Sequence, residues 1–324
     1  MKELKRILLL DPSIATFNVG DKIISQSVRE HLKPLIDFSF VIEASTHLPV
    51  TMYLKNIFYS YDFDYRFVCG SNLIRGKMNR IIKLWDINLR SASIVSPLIL
   101  VGVGWWKKGD LPNQYSKLLY NRLLDKKMLH SVRDNYTLSQ FQQMGFKNIL
   151  NTSCPTMWKL TKDHCKDIPQ TKATDVVTTL TDYDKNPVAD QQMLNILSKK
   201  YRKVYLWLQG VNDFNYANLL NLPSNLELIN PNLDDYDAIL NQQDIEYVGT
   251  RLHAGIRALQ KKKRTIILAV DHRALEKKKD FQLTVLDRND IHLLEGMVDD
   301  RFKTDIKLPL DNIQAWKNQF IHVK

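Results

Sequence analysis

Cysteine and long apolar runs, two features that restrict the class of a protein, are both scarce in this sequence. The chain has only three cysteines, Cys69, Cys154 and Cys165, and an odd number without metal-like spacing favours reduced thiols in a cytosolic protein. No stretch approaches the roughly 18–20 consecutive apolar residues that span a bilayer. We therefore expect a cytoplasmic protein without a membrane-spanning segment.

The sequence also lacks the patterns of a metal site and of a dinucleotide-binding loop. The histidines show no paired metal spacing, so no metal site is predicted. The pair Gly102-x-Gly104 lacks the third glycine and the downstream acid of a dinucleotide fingerprint, so neither NAD nor another cofactor is expected. The adjacent Trp105-Trp106 has two interpretations, a surface on which a sugar stacks or a cover over a domain edge.

The basic excess is large, with a formal net charge of +11. Its densest runs are 261–264 and 277–279. These runs are compatible with solvated helix faces, an anionic substrate, or an anionic membrane surface that carries a lipid-linked acceptor. Nucleic acid is not predicted as a partner, because no stripe of interleaved aromatic and basic residues is present.

Apolar segments alternate with helix-like segments along the 324 residues, a length that fits two domains. The alternation predicts parallel sheets covered on both faces. The apolar segment near the start is too short for a signal peptide and is interpreted as the first strand. The predicted strands are 6–10, 94–101, 127–132, 148–152, 176–180, 203–208, 245–248 and 265–270. The predicted helices are 21–31, 115–124, 135–144, 190–200, 233–242 and 251–260.

This pattern predicts an α/β protein of two Rossmann-like domains that face each other across a cleft. The N-terminal domain is expected over 1–160 and the C-terminal domain over 175–310, with the polar segment 159–175 as the linker. A C-terminal helix at 311–324 is expected to pack back on the N-terminal domain.

Unusual polar residues and glycines follow several of the predicted strands. In open parallel sheets, ligands bind beyond the carboxyl ends of the strands. Candidate residues in the first half are therefore Asn18, Gly20, Asp21, Gly104 and Arg133, and in the second half Arg251, His253, Asp271 and Arg273.

The segment 249–260 is the most informative of these. Leu252, Ile256 and Leu259 recur at helical spacing, and His253 falls in the first turn, where the helix N-terminus attracts an anion. Arg273 follows the next strand, so its side chain could approach that of His253. The alternative is that His253 is a hydrogen-bonded residue at a helix start and Arg273 a surface charge.

Together these residues resemble the polysaccharide pyruvyltransferase family. The resemblance lies in Thr16-x-Asn18-x-Gly20-Asp21, in Ser131-Val132-Arg133-Asp134 followed by Thr137, and in Arg251-Leu252-His253-Ala254 followed by Asp271-x-Arg273. The motifs occur in the family's order and span nearly the whole chain. The family usually has lysine at the position of Arg273, and a guanidinium keeps the charge but presents a planar fork.

The resemblance implies a fold like that of the GT-B glycosyltransferases, with phosphoenolpyruvate bound between the domains. Arg133, His253 and Arg273 would surround this donor, and Asn18, Gly20, Gly104 and Arg251 would also contact substrate. His253 is the candidate general acid/base because its unperturbed pKa lies near neutrality. Asp21 or Asp271 could deprotonate the acceptor hydroxyl, or each could be structural.

The function implied is transfer of pyruvate to a sugar diol as a ketal, in the biosynthesis of an exopolysaccharide or capsule. The acceptor would be a sugar or a lipid-linked oligosaccharide, handled in the cytoplasm or at the inner face of the membrane. Two alternatives stay open: a glycosyltransferase with a nucleotide-sugar donor, and a non-catalytic basic scaffold of an envelope-assembly complex.

Overall fold

In the computed structural model, which describes residues 4–50, 62–80 and 84–320, the chain divides into two units. The first comprises the described residues of Met1–Thr16, Ile24–Trp158 and Pro309–Lys324, and the second comprises Phe17–Ile23 and Lys159–Leu308. The short segment 17–23, which carries Asn18, Gly20 and Asp21, therefore groups with the second unit although it lies within 1–160.

The first unit is built on parallel strands. They are β1 Lys5–Asp11, β2 Ser39–Ser45, β3 Tyr65–Cys69, β4 Ile99–Val101, β5 His130–Val132 and β6 Ile149–Asn151. Four form a sheet in the order β2-β1-β3-β4, and β5 pairs with β6. A parallel bridge between Val103 and Val132 places β5 beside the continuation of β4. Because β2 and β3 lie on opposite sides of β1, the topological switch point of this sheet lies between β1 and β3.

The second unit repeats this plan with a larger sheet. Its strands are β7 Asp175–Thr178, β8 Lys203–Trp207, β9 Leu226–Ile229, β10 Ile245–Gly249, β11 Thr265–Ala269 and β12 Val285–Asp287. They form one parallel sheet in the order β12-β11-β10-β7-β8-β9. The chain leaves β7 toward β8 and β9 and then returns to add β10 on the other side. The switch point therefore lies between β7 and β10.

Helices alternate with these strands in both units. They are α1 Gly20–Ile36, α2 Leu89–Val95, α3 Gln114–Leu123, α4 Asn135–Gln143, α5 Lys162–Lys166, α6 Pro187–Lys200, α7 Asp213–Ala217, α8 Leu233–Leu240, α9 Leu252–Gln260, α10 His272–Phe281, α11 Leu294–Asp299 and α12 Leu310–Asn318. The last of them, α12, groups with the first unit and contacts β5 and β6. Within the predicted C-terminal helix, residues 321–324 lie outside the described part of the chain.

Each unit has its own apolar core. In the first, Leu8 and Leu10 of β1 pack with Val68 and Leu100 of the neighbouring strands. In the second unit, the core is formed by strand residues that include Val176, Val204, Val248, Ile266 and Leu268. Strands buried on both faces are expected to be mainly apolar. Of the strands named here the sequence predicted all except β3, with β4 forming only the end of its predicted segment.

The α/β class with two Rossmann-like units is confirmed, but two predicted segments are wrong in detail. The predicted strand 94–101 begins as helix α2, because the Asn88 side chain accepts hydrogen bonds from Arg90 N and Ser91 N and caps a helix. Pro97 then interrupts the segment, and only Ile99–Val101 is strand. The predicted linker 159–175 contains the helix α5 and lies within the second unit.

Candidate functional site

Most of the candidate residues lie at the carboxyl edge of the second sheet, around its switch point. Arg251 and His253 follow β10, and Asp271 and Arg273 follow β11, the strand that pairs with β10. Asn18, Gly20 and Asp21 belong to the same unit, whereas Arg133 and Gly104 belong to the first unit. All residues of the second unit are described.

Arg251 is buried and fully engaged by protein groups. Its Nε donates to the carbonyl of Leu180 at 2.9 Å, and its Nη2 donates to Asp182 Oδ1 at 2.7 Å and to Asp213 Oδ1 at 2.5 Å. Burial alone would lower the pKa of Arg251, but the Asp213 charge raises it above its usual value. This geometry favours a structural role, in which Arg251 ties together the loops after β7, β8 and β10, over the predicted contact with substrate.

Arg273 and Asp271 form an ion pair at the start of α10. The Asp271 side chain caps the helix by accepting from Arg273 N at 2.9 Å, and its Oδ2 also accepts from Arg273 Nε at 2.8 Å. Burial alone would raise the pKa of Asp271, but the Arg273 charge and its hydrogen bonds lower it to about 2. A carboxylate held in this way is a weak base, so the geometry favours Asp271 as the residue that orients Arg273.

Tyr183 connects the two arginines. The guanidinium carbons of Arg251 and Arg273 lie 5.1 and 5.4 Å from the centroid of its ring. Its hydroxyl also accepts a hydrogen bond from Arg273 Nη2. Tyr183 was not among the predicted residues, although it lies just beyond the carboxyl end of β7, where ligands bind in parallel sheets.

His253 lies half-buried in the first turn of α9. The residue at the N-cap position, Arg251, supplies no side-chain cap. In the other helices of eight or more residues in this unit, the side chains of Asn186, Asn232 and Asp271 supply the cap. An uncapped helix start directs backbone N–H groups outward and favours an anion. The start of α9 therefore places an imidazole at a helix N-terminus, whose dipole favours an anion.

Asn18 and Gly20 are held by Gln209, which follows β8. Gln209 Nε2 donates to Asn18 Oδ1 at 2.9 Å, and Val19 N donates to the Gln209 carbonyl at 2.9 Å. A Cβ at Gly20 would lie 2.6 Å from Gln209 Nε2, so glycine is needed for this close approach. Asp21 is buried and its Oδ2 accepts from Asn18 Nδ2 at 3.3 Å, an arrangement that favours a structural role for its carboxylate.

Gln209 also connects this segment to Arg251. Its backbone N–H donates to Asp213 Oδ2 at 3.0 Å, and the other oxygen of Asp213 accepts from Arg251. Hydrogen bonds therefore run from Asn18 through Gln209 and Asp213 to Arg251. Gln209, Asp213 and Asp182 were not among the residues predicted from the sequence.

In the first unit, Arg133 is buried at the carboxyl end of β5. Its Nη2 donates to Asn72 Oδ1 at 2.7 Å, and its Nε lies 3.3 Å from Asp134 Oδ2. Asp134 caps α4 by accepting from Thr137 N at 2.8 Å. A Cβ at Gly104 would lie 2.0 Å from Arg133 Nε. Gly104 therefore provides the space that the guanidinium occupies.

The basic runs contain buried as well as exposed cations. Arg264 is buried, donates to Glu246 Oε2 at 2.7 Å and lies over the Phe302 ring. Lys277 is buried beside Phe281. Lys262 is paired with Asp167 at 2.6 Å, whereas Lys278 and Lys279 are exposed. Part of the basic excess therefore serves the fold.

Within 4–50, 62–80 and 84–320, no group of three or more His, Cys, Asp or Glu side chains could hold a metal ion. In the same ranges, no helix has the length and apolar character needed to cross a membrane.

A family model matches the chain, and solved structures resemble its fold. The model of the polysaccharide pyruvyl transferase family matches residues 18–272. The co-structure of S. aureus MnaA with UDP has a TM-score of 0.57 and 13% identity, and the match covers 92% of this chain and 88% of that one. UDP-GlcNAc 2-epimerase from Neisseria meningitidis bound to UDP-GlcNAc has a TM-score of 0.53 and 11% identity, with 98% of both chains covered. At these identities the two structures show the fold alone, and no curated protein matches the sequence.

Proposed function

Since the chain belongs to the polysaccharide pyruvyl transferase family, we propose that it transfers pyruvate from phosphoenolpyruvate to a sugar diol as a ketal. The observation that supports this donor is the uncapped start of α9, where His253 lies in the first turn and Arg273 follows the neighbouring strand. A helix N-terminus and a guanidinium both favour a small anion with a carboxylate and a phosphate. No cofactor is needed for this reaction.

The reaction requires proton transfer but no change of oxidation state. A proton adds to the methylene carbon of phosphoenolpyruvate and leaves an oxocarbenium-like centre at C2. One sugar hydroxyl forms the first C–O bond, and the second hydroxyl displaces phosphate as the C2–O(phosphate) bond breaks. Of the two protons that the hydroxyls lose, one balances the proton taken up by carbon and the other leaves with phosphate.

The candidate residues divide into those that act on the donor and those that hold them. His253 is assigned to proton transfer, because imidazole titrates near neutral pH. Arg273 is assigned to an anionic group of the donor, with Asp271 and Tyr183 fixing its orientation. Arg133 keeps the donor-binding role that its motif implies. Asn18, Gly20 and Arg251 are assigned to positioning.

The acceptor is proposed to be a sugar or a lipid-linked oligosaccharide of a cell-surface polysaccharide. A lipid-linked acceptor would require work at the cytoplasmic face of an anionic membrane. The exposed Lys278 and Lys279 near the end of α10 are suited to such a contact.

The test is phosphate release from phosphoenolpyruvate in the presence of acceptor glycans, with mass spectrometry for the added carboxyethylidene group. His253→Ala should lower the rate about 10²–10⁴-fold if His253 transfers a proton. His253→Gln, which keeps hydrogen bonding but cannot transfer a proton, should be equally slow. Phosphate release at the wild-type rate by both variants would refute this role, and an unmodified glycan with the wild-type protein would refute the reaction.

A nucleotide-sugar donor is the second candidate, supported by the UDP and UDP-GlcNAc present in the two similar structures. The two donors are separated by measuring nucleotide release from UDP-GlcNAc beside phosphate release from phosphoenolpyruvate. Release of UDP, without release of phosphate, would replace the proposed reaction by glycosyl transfer.

A further inference from the structure

One tryptophan differs from the other five in its exposure. The chain has six tryptophans, and Trp85, Trp105, Trp158, Trp207 and Trp316 are all buried. Trp106 alone keeps part of its surface accessible to solvent. Its neighbour Trp105 is fixed in the core, with its Nε1 donating to the Asp110 carbonyl at 2.9 Å. The two tryptophans of this pair therefore have different roles.

Trp106 is held by the loops at the carboxyl edge of the first sheet. Its backbone N–H donates to the Ile74 carbonyl at 2.6 Å, and its carbonyl accepts from Asn72 Nδ2 at 3.0 Å. Gly104 N also donates to the Ser71 carbonyl at 2.9 Å. The loops after β3 and β4 thus hydrogen-bond to each other and fix the position of the indole. A preorganised ring loses little freedom when a ligand binds.

The indole has one face covered from within the protein. The guanidinium carbon of Arg75 lies over the ring, 4.4 Å from its centroid, and Arg75 is buried. Trp106 nevertheless keeps part of its surface accessible to solvent. An indole that is held from within the protein and is partly accessible suits a ligand with C–H groups to stack and hydroxyls to hydrogen-bond.

Asn72 links this ring to Arg133. Its Nδ2 donates to the Trp106 carbonyl while its Oδ1 accepts from Arg133 Nη2 at 2.7 Å. One side chain therefore fixes both the stacking residue and the cation assigned to the donor. A ligand stacked on Trp106 would lie near the arginine that the family motif contributes.

We propose that Trp106, supported by Asn72 and Arg75, forms a subsite for a pyranose ring of the acceptor. The choice of a saccharide as the ligand rests on the proposed function. Binding sites for small molecules are lined by aromatic side chains with a few fixed polar groups, and a sugar presents a patch of C–H groups on one face and hydroxyls around its edge. Trp105 is buried and takes no part in this subsite. The family motifs contain none of Trp106, Asn72 and Arg75.

The test uses the intrinsic fluorescence of the full chain without phosphoenolpyruvate. Methyl β-glycosides of galactose, glucose and N-acetylglucosamine are titrated as probes, and binding is measured in parallel by calorimetry. Because the other five tryptophans are buried, a saturable emission change is expected to come from Trp106. Trp106→Phe should bind the same glycoside but lose the emission change, and Trp106→Ala should bind it at least about 10-fold more weakly.

Phe40→Ala is the matched control, because Phe40 is an exposed aromatic residue in β2, near the opposite edge of the same sheet. It should bind like wild type. An emission change that persists in Trp106→Phe, wild-type affinity in a folded Trp106→Ala, or no response to any of the glycosides overturns the subsite. Phosphate release from phosphoenolpyruvate is measured in a separate assay. Glycoside binding by a protein that releases no phosphate with any acceptor would refute the proposed reaction and leave the subsite. Phosphate release by a protein that binds none of the glycosides would refute the subsite and leave the reaction.

Discussion

The side-chain amide of Gln209 hydrogen-bonds to Asn18, 191 residues away in the sequence, with 2.9 Å between Nε2 and Oδ1. Asn18 is part of the first family motif, and Gln209 continues through Asp213 to Arg251 of the last motif. The two motifs therefore belong to one hydrogen-bond network within the second unit. A network of this kind fixes the loops around the switch point more firmly than isolated contacts would.

The first prediction is that Asn18 and Gln209 are energetically coupled. Asn18→Ala and Gln209→Ala should each lower the free energy of unfolding, and the double variant should lose less than the two losses combined. The coupling should be about 1 kcal/mol, the usual contribution of one hydrogen bond. Urea denaturation of the four proteins measures it. Gln209→Met keeps the length of the side chain but removes its amide, so it should lose the coupling to Asn18 as Gln209→Ala does. Losses of unfolding free energy that are strictly additive in the double variant would contradict the prediction.

The second prediction concerns Arg251, whose removal leaves the buried carboxylate of Asp213 without its cation. Arg251→Ala should lower the free energy of unfolding by about 3–5 kcal/mol. Burial already raises the pKa of Asp213, and without Arg251 it should rise further. A carboxyl whose pKa is raised in the folded state loses stability as pH increases, so the deficit should be smaller at acidic pH than at neutral pH.

Asp213→Asn is the partner variant for this measurement. In the Arg251→Ala background it removes the uncompensated charge, so the double variant should be more stable than Arg251→Ala alone. If Arg251 instead served mainly to bind substrate, its loss would leave the unfolding curve nearly unchanged.

The third prediction is that Arg133 leaves no room for a side chain larger than that of glycine at position 104. A methyl group at position 104 would lie 2.0 Å from Arg133 Nε and displace the guanidinium from Asn72. Gly104→Ala should therefore destabilise the first unit by about 1–3 kcal/mol, as overpacking does. The same substitution made in an Arg133→Ala background should cost clearly less, because the colliding atoms are gone.

Gly296→Ala supplies the control, since a Cβ there would meet no atom within 4 Å and the residue lies in α11. It should be neutral or raise stability by up to about 1 kcal/mol, through better helix propensity. An equal cost of Gly104→Ala with and without Arg133 would contradict the steric explanation. Thermal or urea unfolding of these proteins provides the measurement.

The sequence predicted the central strands better than the outer ones, for a physical reason. β1, β7, β10 and β11 are mostly buried and are built around apolar residues, so their pattern is strong. β2 carries Phe40 and other exposed residues, and such an outer strand has no pattern that distinguishes it from a loop. The outer strands β9 and β12 of the second sheet were also not predicted. β3 is an exception, because it lies between β1 and β4 and was not predicted either.

The site shows the same division. His253 and Arg273 could be predicted to share an edge, because parallel neighbouring strands end on the same side of a sheet. Their partners could not be predicted, because Asp182, Gln209 and Asp213 reach Arg251 and Asn18 only through long-range folding. No local signal in the sequence marks an aspartate as the partner of a particular arginine.

The last prediction is a loss of stability in acid that originates at His130. This residue is fully buried, with its Nδ1 accepting from Leu100 N at 3.2 Å and its Nε2 donating to the Asp125 carbonyl at 2.9 Å. Burial lowers its pKa from 6.5 to about 4. Between these two pKa values the unfolded chain binds a proton that the folded chain does not, so stability falls as pH decreases. The difference corresponds to about 3 kcal/mol of unfolding free energy between neutral pH and the folded-state pKa.

In His130→Gln, whose amide can make both hydrogen bonds, this part of the pH dependence should be absent. In His292→Gln, at an exposed position, it should persist. Urea unfolding of the three proteins across this pH range measures the effect, and parallel pH profiles for wild type and His130→Gln would show that His130 is not its source.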